Sequence, residues 1–488
     1  MPVPVPVGGG TVEHVEVRRG EYHDSVTLML AGRAVGGVGG VERVLVAMAT
    51  ELNVALLGEL GYPALEDAGP ADLVVAFACG SADAEAAALD ALAGSLTPAG
   101  SSITAPGHAR ADRFSPRTTA AALGRTGATV TLISTPGLAS VVEAMESLEY
   151  GASPIIFSDN VPIDCEVRLK DEALRRGLLV MGPDCGTVVL HGTGLAFANV
   201  TRPGPISLVA ASGTGAQELM ALLDAAGTGI RHCLGVGGRD LSEQVAGRST
   251  LAALTTLAAD EETELIVVVS KPPHPAVAAR IEAHAANLGK PVHFAFVSDG
   301  HPTLTEAAER ILTAVGRKAP APWPQWTSAA TAGMTASTGT TVRGLFSGGT
   351  LRSEAAVVLA RARGRFAFDL TDFGDDAYTR GRPHPMIDNT LRLRAVAEAA
   401  ADDGVGVLLL DVVLGRGAHA DPATEIAAAI TAARKVRPDM AVVVSLCGTA
   451  GDPQGLARQA ETLAEAGAWV FLSNAEAAET AARLAVGH

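Results

Sequence analysis

Aromatic residues are scarce in this chain, 4% of 488, so its cores are expected to be packed with aliphatic side chains rather than rings. Cysteine is scarcer still: Cys79, Cys165, Cys185, Cys233 and Cys447 are scattered, odd in number and include no C-x-x-C pair. That argues against a disulfide framework and a cysteine zinc site, and fits a reduced cytoplasmic protein. No apolar run approaches the roughly 18 residues of a membrane span. The start, MPVPVPVGGG, has no basic stretch ahead of an apolar one and does not read as a secretory signal. Positive charge is in deficit, 37 Lys and Arg against 53 Asp and Glu, for a net charge of −16. So acidic a chain is not expected to seek nucleic acid or an anionic membrane, while a local cationic pocket stays open.

What is present is aliphatic. Hydrophobic residues make up 48%, enough for several cores, and the length suggests three or four domains. Strand-like runs alternate with helix-like stretches: TVTLIS (129–134), PIIFSD (154–159) and LLVMG (178–182), then ISLVAA, LIVVVS (265–270) and PVHFAFV (291–297). The pattern returns with GLFS, VGVLLLDVV (405–413), MAVVVSL (440–446) and WVFLS (469–473). Near-continuous aliphatic strands are covered on both faces, as in the parallel sheets of α/β layers. A stretch rich in Gly, Ser, Thr and Pro from residue 94, and residues 316–341, read as linkers. The first ninety residues read as a small α/β region.

Two strands end in the same small-residue elbow, VAASGTGA (209–216) and GLFSGGTLR (344–352), each followed by helical spacing of apolar residues. Ser212, Gly213, Thr214 and Gly215, and Ser347, Gly348, Gly349 and Thr350, therefore stand between a strand end and a helix N-terminus. Such a turn offers unpaired amides and the positive end of a helix dipole, with hydroxyls as further donors. One reading is a pair of anion cradles facing a shared phosphate; the other is two ordinary strand-to-helix turns. No G-K-[ST] follows the glycines, so neither is a Walker loop.

In YTRGRPHP, Arg380, Arg382 and His384 alternate with Gly and Pro on a loop. They are candidates for binding a carboxylate, against a solvated surface loop. Asp375 and Asp376 read as ion-pair partners for those arginines rather than as metal ligands. Arg416 and His419 fall between a strand and the N-cap pair Asp421-Pro422, and Asp452-Pro453 repeats that capping pattern. Asp240 reads as a helix cap or a substrate-orienting acid. Cys185 and Cys233 read as small buried hydrophobes. No cluster implies a metal.

ISLVAASGTGAQELMALLDAAGTGIRHCLGVGGRDLS resembles the central domain of the α subunit of succinyl-CoA ligases. Residues 129–187, ending in MGPDCGT, resemble that subunit's CoA-binding region, and residues 342–488 the C-terminal domain of the β subunit. A resemblance that runs from end to end is to the fused FdrA family. It rests on YHDSVTLML, FSDNVPIDCEVRLKDEALRRGLLVMGPDCGT, LAFANV, GVGGRDLS, VVVSKPP, GDDAYTRGRPHPMID and LLLDVVLGRGAHADPA.

The resemblance implies a Rossmann-like N-terminal half followed by two flavodoxin-like domains. The implied divisions are a small α/β region (1–93), a linker (94–128), a CoA-binding-like portion (129–203), a ligase α-like domain (204–315), a linker (316–341) and a ligase β-like domain (342–488). It implies no ATP-grasp region in residues 1–128. The ligase histidine would fall in SDGHPTLTEAAERI (298–311), where His301 is either a phosphoryl relay or a helix-entry residue. The function it implies is a subunit of an oxamate carbamoyltransferase in purine or allantoin catabolism, interconverting oxalurate plus phosphate with oxamate plus carbamoyl phosphate. His301 and His384 are then the catalytic candidates, Arg380, Arg382 and Arg416 the substrate-binding ones. Companion subunits and a homo-oligomer are expected, with no required cofactor but CoA implied as a ligand. The alternatives are an acyl-CoA ligase that borrows an ATP-grasp partner, and a non-catalytic scaffold or CoA-sensing module.

Overall fold

In the computed structural model, residues 12–65, 67–96, 116–329, 331 and 339–486 are described. The stretch MPVPVPVGGG, residues 97–115 of the first linker and residues 330 and 332–338 of the second lie outside them. The chain divides into one unit of Met1–Arg113 with Phe373–Asp388, and another of Phe114–Asp372 with Asn389–His488.

The first unit runs β1 (Val12–Arg18), α1 (Ser25–Gly36), β2 (Val41–Met48), α2 (Glu51–Glu59), β3 (Leu73–Cys79) and α3 (Ala82–Leu96). Its antiparallel sheet has the order β1-β3-β2. Central β3, LVVAFAC, is buried at every position. Val75 and Phe77 face Leu28, Ala31, Ala88 and Leu92 of α1 and α3, while Val74 and Ala76 face Leu57 and Tyr62. A strand covered on both faces has no reason to alternate polar and apolar residues.

The second unit opens with α4 (Thr119–Thr126), β4 (Val130–Ile133), α5 (Gly137–Glu149), β5 (Ser153–Ile156) and α6 (Ile163–Arg176). Here β4 and β5 are parallel, with a single further bridge from Ile155 to Met181. A hairpin, β6 (Thr187–Leu190) and β7 (Thr193–Ala196), precedes four βα steps: β8 (Ile206–Ala210), α7 (Gly213–Ala225), β9 (Ile230–Gly235), α8 (Arg248–Ala259), β10 (Leu265–Ser270), α9 (Pro275–Ala285), β11 (Val292–Phe296) and α10 (Leu304–Ala314). The sheet order is β11-β10-β8-β9-β6-β7. Because Val189 of β6 pairs with Cys233 of β9, this sheet crosses the boundary expected near residue 203.

While the short α12 (Asp376–Thr379) belongs to the first unit, the remainder of the second unit comprises β12 (Gln325–Trp326), β13 (Thr341–Phe346), α11 (Gly349–Arg361), β14 (Ala367–Asp372), α13 (Thr390–Ala401), β15 (Val405–Val413), α14 (Pro422–Val436), β16 (Ala441–Cys447), α15 (Leu456–Glu465), β17 (Ala468–Phe471) and α16 (Asn474–Val486). Its order is β12-β17-β16-β15-β13-β14. Taken from β13, the parallel strands follow the flavodoxin order 2-1-3-4-5, and β8 to β11 follow 2-1-3-4. In both sheets the first strand lies beside the third, so the ligand-binding switch point falls at the carboxyl ends of β8 and β10 and of β13 and β15. Part of the stretch read as a linker is anchored: β12 pairs with β17, and buried Trp323 donates to Glu309. Among the described residues no helix is long and apolar enough to cross a membrane.

Candidate functional site

The two elbows meet. Ser212 caps α7, its Oγ accepting from the Gly215 amide at 3.0 Å, and that same hydroxyl lies 2.5 Å from Thr350 Oγ1 at the head of α11. The glycines are fixed by this contact. A Cβ on Gly348 would stand 2.6 Å from Thr214 Cγ2, and one on Gly215 3.0 Å from Thr350 Cγ2. The two turns therefore interlock, with the threonine of each resting on a glycine of the other.

Interlocking removes several groups expected to hold an anion. The hydroxyls of Ser212 and Thr350 satisfy each other, and the Gly215 amide is bound to Ser212. At the second elbow the amides of Ser347 and Gly348 donate to Asp411 at 2.7 and 2.9 Å, and the Ser347 hydroxyl adds a third bond. Asp411 is fully buried and paired with Arg392 at 3.0 Å. Burial raises its pKa, with Arg392 and these donors acting against that rise. An internal carboxylate thus occupies the start of the second cradle.

What stays open is narrower. The amides of Gly213, Thr214, Gly349 and Thr350 have no acceptor among the described residues, and Gly213 and Gly349 are half-buried. Beside Gly213 stands Thr187 Oγ1, 3.3 Å from where its Cβ would be. Thr187 is 2% exposed and its hydroxyl has no hydrogen-bond partner among the described residues. A buried hydroxyl without a partner is costly unless something binds it. Beside Gly349 stand Lys271 Nζ, 2.7 Å from that glycine's Cβ position, and the Asp372 carboxylate. Lys271 directly follows β10 and Asp372 ends β14, so both reach the mouth from carboxyl ends of strands.

The other sequence candidates lie elsewhere. His301 sits in the turn before α10, its Nδ1 2.8 Å from Ser298 Oγ and its carbonyl accepting from Arg361 at 2.9 Å. Arg361 ends α11, about 18 Å of helix from Gly349. Arg380, Arg382 and His384 belong to the unit of residues 1–113. There Arg382 Nε donates to Asn53 at 2.8 Å, the Asn53 amide donates to the Gly381 carbonyl, and His384 Nδ1 accepts from Met386. Arg380 is exposed. Arg416 is exposed beyond β15 and pairs backbone to backbone with Ala198.

Asp240 behaves as a cap, accepting from Ser249 and Thr250 at the start of α8 while pairing with buried Lys170. Asp421 stands at the head of α14 and takes Gln459, Thr424 and Arg458. Asp452 is not the cap its sequence context suggests, because α15 begins at Leu456 behind Gly455. Its carboxylate instead takes Thr449, Val200 and Asn199 and ties the LAFANV segment down. Asp375 caps α12. Burial raises the Cys185 thiol and pushes Cys233 up to about 12, so both are inert. Among the described residues no group of three His, Cys, Asp or Glu is placed to hold a metal.

Sequence reasoning missed Lys271, Thr187 and Asp411. The signal for Lys271 was present, a cation directly after the fully buried strand LIVVVS. Nothing in the sequence marks Thr187 or Asp411, because Gly213 lies 26 residues from Thr187, and the Ser347 and Gly348 amides lie 64 and 63 residues from Asp411.

Residues 345–484 match the CoA-ligase family, and residues 11–111 match the family described as AllF, heavy metal-associated domain. Escherichia coli K12 YahF is 33% identical over 93% of this chain and 95% of its own length. The succinate–CoA ligase α subunit of Methanothermobacter thermautotrophicus is 28% identical over 32% of the chain, which spans about half (52%) of that relative. Among solved structures, PH0766 of Pyrococcus horikoshii covers 73% of this chain, and the chain 83% of it, at 15% identity and a TM-score of 0.28. The end-to-end similarity to YahF, joined to the CoA-ligase match, shows that the chain belongs to the FdrA-like family of succinyl-CoA-ligase-related proteins.

Proposed function

We propose that this chain is an acyl-transferring subunit of the acid–thiol ligase type. It binds a phosphate or acyl-phosphate oxyanion at the mouth between Gly213 and Gly349 and draws any nucleotide chemistry from a companion chain. The observation that carries this is the junction of two helix N-termini with four amides and a Thr187 hydroxyl that have no partner among the described residues, and with Lys271, at one mouth. Amides and hydroxyl bind the oxygens, and the ammonium offsets charge that grows as the acyl–oxygen bond breaks. Asp372 stands beside Gly349 together with Lys271.

CoA, implied by the ligase relatives, fits the first part of the second unit in one respect. Helices α5 and α6 begin at Pro136 and Pro162 without side-chain caps, leaving amides at the carboxyl edge of β4 and β5 for its phosphates. When bound, CoA supplies the thiol that accepts an acyl group. A second reading, carbamoyl transfer between phosphate and an oxamate-type acceptor, is favoured by the placement of His301. Among the described residues no hydrogen bond joins a histidine to either elbow.

The test is binding of labelled phosphate to the full chain and to Lys271→Ala and Gly349→Val. Each variant is expected to lose at least about tenfold in affinity. Unchanged affinity in both would remove the mouth from consideration. Product analysis then separates the readings: acyl phosphate from succinyl-CoA plus phosphate supports ligase-type transfer, and carbamoyl phosphate from oxalurate plus phosphate supports the second.

A further inference from the structure

Beneath the elbows lie two carboxylates that pair with no cation among the described residues. Glu218 stands six residues beyond the N-cap Ser212, and Glu354 six beyond the N-cap Gly348. At about 1.5 Å per residue each lies roughly 9 Å below its turn. Both are completely buried, at 0% exposure. Each caps a helix of the opposite domain. Glu218 Oε1 accepts from the Asn474 amide at 2.8 Å, where α16 begins, and Glu354 Oε1 accepts from the Leu304 amide at 2.5 Å, where α10 begins. The Asn474 side chain donates to Glu354 Oε2 at 2.7 Å and so links the two.

Their surroundings are acidic. Glu218 is faced by Glu354 from α11, Asp411 from β15 and the Cys447 thiol from β16, and its Oε2 has no hydrogen-bond partner among the described residues. Glu354 is faced by Glu306 from α10 and Glu479 from α16. No ion pair among the described residues includes either carboxylate. Burial and then Glu354 raise Glu218 to about 8, and burial raises Glu354 to about 7.

We propose that Glu218 and Glu354 are a proton-linked positioning pair, so that an oxyanion binding at the elbows is accompanied by proton uptake into the interface between the two flavodoxin-like domains. The proposal rests on the elbow reading. Reciprocal capping holds α7 and α11 in register, which keeps both N-termini aimed at one mouth. A dianion at that mouth lies about 9 Å from each carboxylate and disfavours its charged form. By linkage, charging the carboxylates must weaken the dianion equally.

Sulfate is the probe, because it is a tetrahedral dianion with no proton of its own to exchange near neutral pH. Calorimetric titration of the full chain is expected to show affinity falling at least about tenfold between about pH 6 and about pH 9. The double variant Glu218→Gln, Glu354→Gln keeps the shape and the capping oxygens. It is expected to bind sulfate across the range with the wild-type affinity of the acid end. The unliganded wild type should also lose melting temperature over that range while the double variant does not. A wild-type affinity that ignores pH, or a double variant that keeps the slope in either measurement, overturns the proposal while leaving the elbow reading intact. Sulfate binding at no pH overturns both.

Discussion

Adding one methyl group at Gly348 tests whether the two flavodoxin-like domains are locked through their elbows. The backbone there, φ −124° and ψ 112°, suits alanine, so the substitution carries no conformational strain. The new Cβ would lie 2.6 to 2.8 Å from three atoms of Thr214, a buried side chain. Overpacking of this kind costs about 1–3 kcal/mol. If α7 and α11 separate to relieve it, the Ser212–Thr350 bond is lost, at about 0.5–1.5 kcal/mol more. A total of about 2–4 kcal/mol, set against an unfolding entropy of about 2.1 cal/mol/K per residue over a unit of roughly 360 residues, lowers its melting temperature by roughly 3–5 °C. Differential scanning calorimetry reads this directly. Gly213→Ala is the control, because its Cβ meets only Thr187 Oγ1, at 3.3 Å, and should shift melting little in either direction. A Gly348→Ala protein that melts within about 1 °C of wild type would refute the interlocked geometry.

Glu218 has a folded-state pKa of about 8 against an ordinary value of 4.5, so its stability contribution declines as pH rises through that window and is at its best below it. Urea unfolding at about pH 8 should find Glu218→Gln more stable than wild type by at least about 1 kcal/mol, and the two equal near pH 4.5; a wild type more stable at the alkaline end contradicts this. Gly381→Ala places a Cβ 2.5 Å from Thr50 Cγ2 at a φ of +73°, which should cost about 1–3 kcal/mol. Limited trypsin digestion should then cut faster at Arg380. Asp452→Ala removes the acceptor shared by Asn199, Val200 and Thr449, and unfolding stability should fall by about 2–4 kcal/mol; a loss under about 0.5 kcal/mol would show that the LAFANV segment is held by other contacts.

The parallel sheets were legible because their strands are aliphatic at nearly every position, a pattern that survives without knowledge of any partner. The elbows were legible for the same local reason, small residues between a buried strand and a helical repeat. Antiparallel β3 was harder to place, since a strand covered on both faces by α1, α2 and α3 carries no alternation to betray its neighbours. Asp452 was misread because Asp-Pro before a helical stretch is a good local cap signal, while its buried carboxylate answers to donors as far as 253 residues away in sequence. His301 keeps a helix-entry position, and only the bond from Arg361 shows at which end of α11 it lies.

Local sequence by itself determined the α/β class, the repeated strand–elbow–helix device and the absence of a cysteine framework, because each depends on residues within one or two helical turns. Only the tertiary structure decided which elbow donors stay open, since Asp411 takes the Ser347 and Gly348 amides from a neighbouring strand and Thr350 takes the Ser212 hydroxyl across the domains. Hydrogen bonds and steric fit act over a few ångströms of space without regard to chain separation. Lys271, Thr187, Glu218 and Glu354 therefore acquired their roles only when the two domains closed on one another.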